Sequence, residues 1–285
     1  MQLTIDGLQS YAYTGGRSLS GHRPAVMFIH GAQHDHSVWI LQSRYLAHHG
    51  FDVLAVDLPG HGRSAGAPLP SIERMADWVA AMARACGIGP ALLCGHSMGS
   101  LVALQCAASH PDVAAGIALV ASAAPMKVSE ALLEAARTDE PRAFDMINAW
   151  SHATINARPG CPGPGFSIFV QNRRLMERQT KGVLFNDFSA CNAYDQAFEA
   201  ARKVACPALL VLGGRDMMTP PKAAKALATA LAESARAQHL PAPQITEVPG
   251  CGHALMSERP DVLLEALHRF TRTLRFTPAV QPASA

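Results

Sequence analysis

A chain of 285 residues, 49% hydrophobic and only 16% charged, is long enough for one large domain or a domain with an insertion, and its composition excludes a disordered protein. The net charge of +2 comes without any run of like charges, so neither a nucleic-acid surface nor a polybasic membrane contact is expected. The longest apolar stretch, from Ala114 to Pro125, is too short to span a bilayer, and the opening MQLTIDG lacks the basic-then-apolar pattern of a secretory signal. Seven scattered cysteines with no CxxC pair indicate neither a disulfide framework nor a zinc knuckle, which fits reduced thiols in a cytoplasmic protein.

Along the chain, strand and helix patterns alternate. Short apolar or β-branched runs at residues 3–5, 25–29, 51–56, 91–94, 117–120, 208–212 and 244–248 read as strands. Helical spacing fills most of the intervals, at 38–48, 72–86, 100–109, 221–231 and 260–274. Such alternation predicts an α/β fold with a mainly parallel sheet covered by helices on both faces, because parallel neighbours need crossover connections. The strands are continuous apolar runs, as burial on both faces requires. Residues 126–204 break the rhythm: only helical segments (129–137, 142–149, 171–179 and 194–201) surround the loop PGCPGPG. A segment of that length between two core strands predicts a helical cap or lid. The expected division is therefore a core from 1–125 and 205–275, a cap at 126–204, and a frayed Ala/Pro-rich tail at 276–285.

The stretch ALLCGHSMGSLVALQ carries the chemistry. An apolar run stops at Ser97, held between Gly95 and Gly99, and helical spacing resumes at once. A serine on so sharp a strand-to-helix turn adopts a strained backbone, and glycine two residues to either side avoids clashes where strand and helix pack closely. The turn lifts the hydroxyl above the sheet edge, at the positive end of a helix.

With this elbow the sequence resembles the α/β-hydrolase family, serine-nucleophile branch, over nearly its whole length. FIHGAQHDHSVW is similar to the family's strand–HG–loop and DLPGHGRS to the loop after the next strand. LLVLGGRDMMTP is similar to the strand and loop that carry the acid, and PGCGHALMSERP to the histidine loop. The resemblance implies an α/β-hydrolase fold and a triad in the order Ser97, Asp216, His253. A serine hydroxyl is a poor nucleophile at neutral pH, so His253 would take its proton and Asp216 would orient the imidazole. The developing oxyanion needs two donors, assigned to the backbone N–H groups of Met98 and Ala32, with Gln33 as the alternative to Ala32. Should Asp216 fail as the acid, Asp195 and Asp187 are the next candidates.

His30, His34, Asp35 and His36 crowd one loop, but no matching carboxylate or histidine cluster follows, so no metal and no other cofactor is expected. His61, His96 and the thiol of Cys251 read as structural. Trp150, His152, Phe166 and Phe169 from the insertion, with Met98, Met217 and Leu255 from the core loops, are candidates for the substrate pocket. The implied activity is hydrolysis of a carboxylic ester of a small or medium, partly apolar substrate. Carbon–carbon bond hydrolysis by the same triad, and a non-catalytic binding protein on this scaffold, are the alternatives.

Overall fold

The computed structural model describes residues 1–153 and 167–276. Eight strands form one sheet: β1 (Gln2–Ile5), β2 (Leu8–Tyr13), β3 (Ala25–Ile29), β4 (Asp52–Asp57), β5 (Ala91–His96), β6 (Ala114–Val120), β7 (Ala208–Gly213) and β8 (Gln244–Val248). Their order across the sheet is β1-β2-β4-β3-β5-β6-β7-β8. The six strands from β3 to β8 pair in parallel, and β1 and β2 add an antiparallel hairpin to the β4 edge. The β2 strand was not among the expected elements. It follows β1 through Asp6 and Gly7, at φ +49° and +78°, a two-residue turn whose left-handed centre matches the twist of a hairpin.

Helices α1 (Ile40–His48), α2 (Ile72–Ala85) and α3 (Met98–Ser109) are crossovers of the first half. Helix α2 is amphipathic, burying Ile72, Met75, Ala76, Val79 and Met82, and Ser71 caps it by accepting from the Arg74 N–H. Between β6 and β7 come α4 (Glu130–Thr138), α5 (Glu140–Ser151), α6 (Ile168–Glu177), α7 (Val183–Ala193) and α8 (Ala197–Lys203). Helices α9 (Pro221–Ala237), α10 (Leu255–Glu258) and α11 (Pro260–Thr271) complete the chain's second half. Among the described residues no helix is long and apolar enough to cross a membrane.

Strand side chains alternate between two cores. Met27, Ile29, Leu93, Leu210 and Leu212 meet α2, α3 and α9 on one face. Val26, Phe28, Leu92, Leu209 and Val211 meet α1 and α11 on the other. The inserted helices α4 to α7 pack a third, smaller core of Leu132, Phe144, Ile147, Met176, Leu184 and Phe188. Helix α8 does not share it: Ala197, Ala200 and Ala201 belong to the main core. Helices α7 and α10 were not foreseen. In α7 the buried stripe Val183, Leu184, Asp187, Phe188 and Cys191 has a carboxylate in its middle, which interrupts the apolar period.

Candidate active site

Strand β5 ends at His96 and α3 begins at Met98, so Ser97 makes the whole turn between them, at φ +51° and ψ −120°. A positive φ is rare for a residue with a side chain and marks strain held in place by its surroundings. The glycines explain how. A Cβ on Gly95 would stand 1.9 Å from the Gly99 carbonyl oxygen, and one on Gly99 would stand 2.4 Å from that of His30. The Ser97 N–H donates to the Val120 carbonyl at 2.9 Å, tying the elbow to β6. Gly95→Ala is therefore expected to force strand and helix apart, at a cost of about 1–3 kcal/mol or more, visible as a lowered Tm together with lost activity. An unchanged Tm would mean that the elbow yields.

Asp216 lies just beyond β7, buried, with its Oδ2 2.8 Å from His253 Nδ1. Its other oxygen, Oδ1, accepts the backbone N–H groups of Met218 and Thr219, each at 2.8 Å. Burial alone would raise this carboxyl, but the His253 charge and these hydrogen bonds outweigh it and hold the pKa down at about 2. Thr219, which the sequence did not single out, has its hydroxyl 2.7 Å from Asp216 Oδ2, 3.1 Å from His253 Nδ1 and 2.9 Å from the Ala121 carbonyl. The signal lay in DMMTP, a hydroxyl three residues after the acid where a turn folds it back.

The histidine loop is fastened from two sides. The N–H groups of His253 and Ala254 both donate to the Ser151 carbonyl at the end of α5, at 2.7 and 3.0 Å. Glu258 accepts from the N–H groups of Gly252 and Ala153, both at 3.1 Å. From the sheet side, His96 donates its Nε2–H to the His253 carbonyl at 3.0 Å, its ring 4.7 Å from that of His253. Burial keeps the His96 imidazole neutral, well below its usual pKa. The neighbouring Cys251 is fully buried, and burial pushes its thiol up to about 12, which makes it inert.

Ala32, Ser97 and Met98 line one cavity of about 170 Å³, together with Trp150, Met217, Met218 and Thr219. Inserted helices supply Leu132, Phe188 and Cys191 to the same wall. His253 and His96 face a second cavity, of about 590 Å³, lined also by His34, Ser151, Leu41 and Leu175. Consecutive residues thus divide between them: His96 and Ser151 border the larger, Ser97 and Trp150 the smaller.

Two further pocket candidates, Leu255 and His152, go elsewhere. Leu255 is 0% exposed and packs in the core beneath the histidine loop, because the first residue of α10 turns inward. His152 is buried, its Nδ1 on the Asn148 carbonyl and its ring 4.7 Å from that of Phe169. Neither lines the Ser97 cavity. Phe166, the PGCPGPG loop and residues 277–285 of the expected tail lie outside the described residues.

The loop after β3 is built from histidines in fixed states. His30 accepts from the Leu58 N–H at Nε2, so its Nδ1 carries the proton toward the Gly31 carbonyl, and burial lowers its pKa to about 4. His61 differs: Nδ1 faces the Pro59 carbonyl at 3.0 Å and Nε2 faces Asp187 Oδ2 at 2.9 Å. Burial alone would lower its pKa, but the Asp187 carboxylate outweighs that and raises it. The same Asp187 oxygen accepts the Gln33 N–H at 2.9 Å. Gln33 thereby has its N–H committed, and Ala32, not Gln33, lines the Ser97 cavity. Asp35, His36 and Asp57 bring ligand atoms close enough for a metal ion. Their oxygens, however, already accept from Arg178, Gln179, the Ser37 N–H, the Arg63 N–H and His36 itself. A cation there would compete with the Arg178 guanidinium, so the donor set does not fit a metal site.

A sequence profile of the alpha/beta hydrolase family matches residues 26–266. The chain belongs to this family. Among curated proteins it resembles the pimeloyl-[acyl-carrier protein] methyl ester esterase of Neisseria meningitidis serogroup C, 33% identical over 185 residues, 60% of this chain and 67% of that protein. Across the neisserial relatives the matched segment spans 55% to 67% of their length. The Chromobacterium violaceum protein of the same name is 29% identical over 246 residues, covering 82% of this chain and 91% of its own. Among solved structures the enol-lactonase from Burkholderia xenovorans LB400 superposes with a TM-score of 0.80 at 23% identity, over 95% of this chain and all of that one. This alpha/beta hydrolase therefore has the eight-stranded, mainly parallel sheet of its family.

Proposed function

We propose that this hydrolase cleaves carboxylic esters of small or medium, partly apolar substrates through an acyl-enzyme. The observation that carries the reading is the strained Ser97 turn, which shares one cavity with Ala32 and Met98. In this mechanism Ser97 Oγ attacks the ester carbonyl carbon as His253 Nε2 takes its proton. The backbone N–H groups of Ala32 and Met98 receive the oxyanion; the carbon–oxygen bond to the alcohol then breaks, and His253 returns the proton to the departing oxygen. Water, activated by the same imidazole, releases the acid and restores Ser97. Asp216, ionised and fixed by Met218 and Thr219, keeps the His253 Nδ1 protonated and steadies the imidazolium.

Helices α4 to α7 serve as the cap in this reading. Trp150, Leu132 and Phe188 give the Ser97 cavity an apolar wall suited to an apolar substituent, and they exclude water from the oxyanion contacts. The substrate is a small molecule. All six described cysteines are free thiols, which supports a reducing, cytoplasmic setting. Ester cleavage is also what the names of the neisserial and Chromobacterium proteins describe.

A panel of p-nitrophenyl esters of graded chain length, run beside a dienone-acid substrate, tests the reaction type. Ester turnover without carbon–carbon cleavage is the expected result; the reverse would move the chemistry to the other bond. Trp150→Ala is expected to shift kcat/KM by roughly ten-fold or more for the best-fitting ester and less for the others, since a lost methylene-scale contact is worth ~1–3 kcal/mol. A uniform drop across the series would make Trp150 a folding residue and not a selective one.

A further inference from the structure

We propose that Asp187, on helix α7 of the cap, is a positioning residue of the oxyanion site: it holds the peptide beside the Ala32 donor through the Gln33 N–H. The proposal rests on the reading of Ser97, Ala32 and Met98 given above. Asp187 Oδ2 takes two hydrogen bonds, from the Gln33 N–H and from His61 Nε2, both at 2.9 Å. The charge state of the pair follows from geometry. Both His61 nitrogens face groups that only accept, the Pro59 carbonyl and the Asp187 carboxylate, so both carry protons and the ring is a cation. Neither side chain is exposed to solvent.

A buried ion pair is a poor way to gain stability, because apolar residues of similar volume serve as well or better. What it does supply is a fixed point. Gln33 stands at φ +58°, a conformation a residue with a side chain does not hold unaided. Its backbone N–H is held by α7, and its side-chain Nε2 donates to the Met176 carbonyl at the end of α6, at 3.1 Å. The Gln33 N–H belongs to the Ala32–Gln33 peptide, so fixing that plane fixes the Ala32 backbone one bond from the donor. Oxyanion donors work only when already aimed, and small misplacements are costly. The cap thus sets the aim of a donor that the core carries.

Three variants test this: Asp187→Asn, whose amide oxygen can still accept the Gln33 N–H; Asp187→Ala; and the double variant His61→Leu/Asp187→Leu, which removes the acceptor without leaving an unpaired buried charge. The readouts are folding by circular dichroism, kcat and KM, the affinity of an alkyl boronic acid as a mimic of the tetrahedral intermediate, and the affinity of the product carboxylate. In whichever acceptor-less variant folds, kcat and boronic-acid affinity are expected to fall together by about 100-fold, while KM and product affinity stay unchanged. Asp187→Asn is expected to keep most of the activity. The proposal is overturned by a folded acceptor-less variant with unchanged kcat, by equal losses for boronic acid and product, or by a folded Asp187→Asn variant as impaired as the others. Fluorophosphonate labelling of the unmodified protein separates the two levels: absence of label at Ser97 overturns the reading of the site itself, whatever the Asp187 variants do.

Discussion

Ser97→Ala is expected to abolish labelling by a fluorophosphonate and to lower kcat by about 10⁶-fold, the scale on which serine hydrolases depend on their nucleophile. The protein should remain folded, because the strained turn is maintained by Gly95, Gly99 and the hydrogen bond from Ser97 N–H to Val120, none of which uses the hydroxyl. Intact-mass analysis reads the label and peptide mapping locates it. A label on Cys251, or full activity without any label, would remove Ser97 from the reaction. The Cys251 outcome runs against its environment, since a thiol pushed up to about 12 in a buried site carries almost no thiolate.

The second large effect belongs to Asp216→Asn, for which kcat is expected to fall by about 10⁴-fold with little change in Tm. The surroundings dictate how the amide must sit. Two backbone N–H groups, from Met218 and Thr219, demand an acceptor at the Oδ1 position, so the amide oxygen goes there. The NH₂ then points at His253 Nδ1, which can only accept, and the ring proton moves to Nε2, where the serine proton should go. The base is blocked by its own tautomer. A rate near that of the unmodified enzyme would move the acid elsewhere; Asp187, bound to His61 and Gln33, is already committed. Because Asp216 stays ionised down to about pH 2, a loss of activity in mild acid does not come from its carboxylate. The sign for stability follows from the same depression: what Asp216 contributes is complete above its unfolded pKa and is lost as pH falls toward 2.

The elbow was legible because its constraint is local: two glycines are required by backbone atoms within a few residues and one neighbouring strand. The parallel sheet was legible for a similar reason: β3, β4, β5 and β7 are buried along their whole length, β3 and β7 as unbroken apolar runs and β4 and β5 with apolar centres. The β2 strand was missed although Asp6-Gly7 announced the hairpin; LQSYAY exposes its first residues and lacks a clean alternation. Helix α7 was missed because the residue that breaks its apolar stripe, Asp187, is paid for by partners more than a hundred residues away in sequence. Leu255 was misjudged because proximity to His253 along the chain says nothing about which side of a one-turn helix a side chain takes. Thr219 belongs to the same class: a hydroxyl becomes informative only once three loops converge on it.

The Ser151 carbonyl, which accepts from both His253 and Ala254, bears on how such enzymes can be recombined. Chimeras are commonly planned as a catalytic body on which substrate-recognition segments are exchanged at will. Here the seam is not neutral. The last turn of α5 is the mooring of His253, the base in the proposed mechanism, and Ala153 and Gly252 share the Glu258 carboxylate across the same seam. A graft that brings a foreign segment past Ser151 brings a foreign mooring with it, and an inactive chimera would reveal a base cast adrift before it revealed anything about substrate choice. Splice points placed after β6 and before α5 keep the mooring native and exchange α4 alone, with Leu132 of the Ser97 cavity.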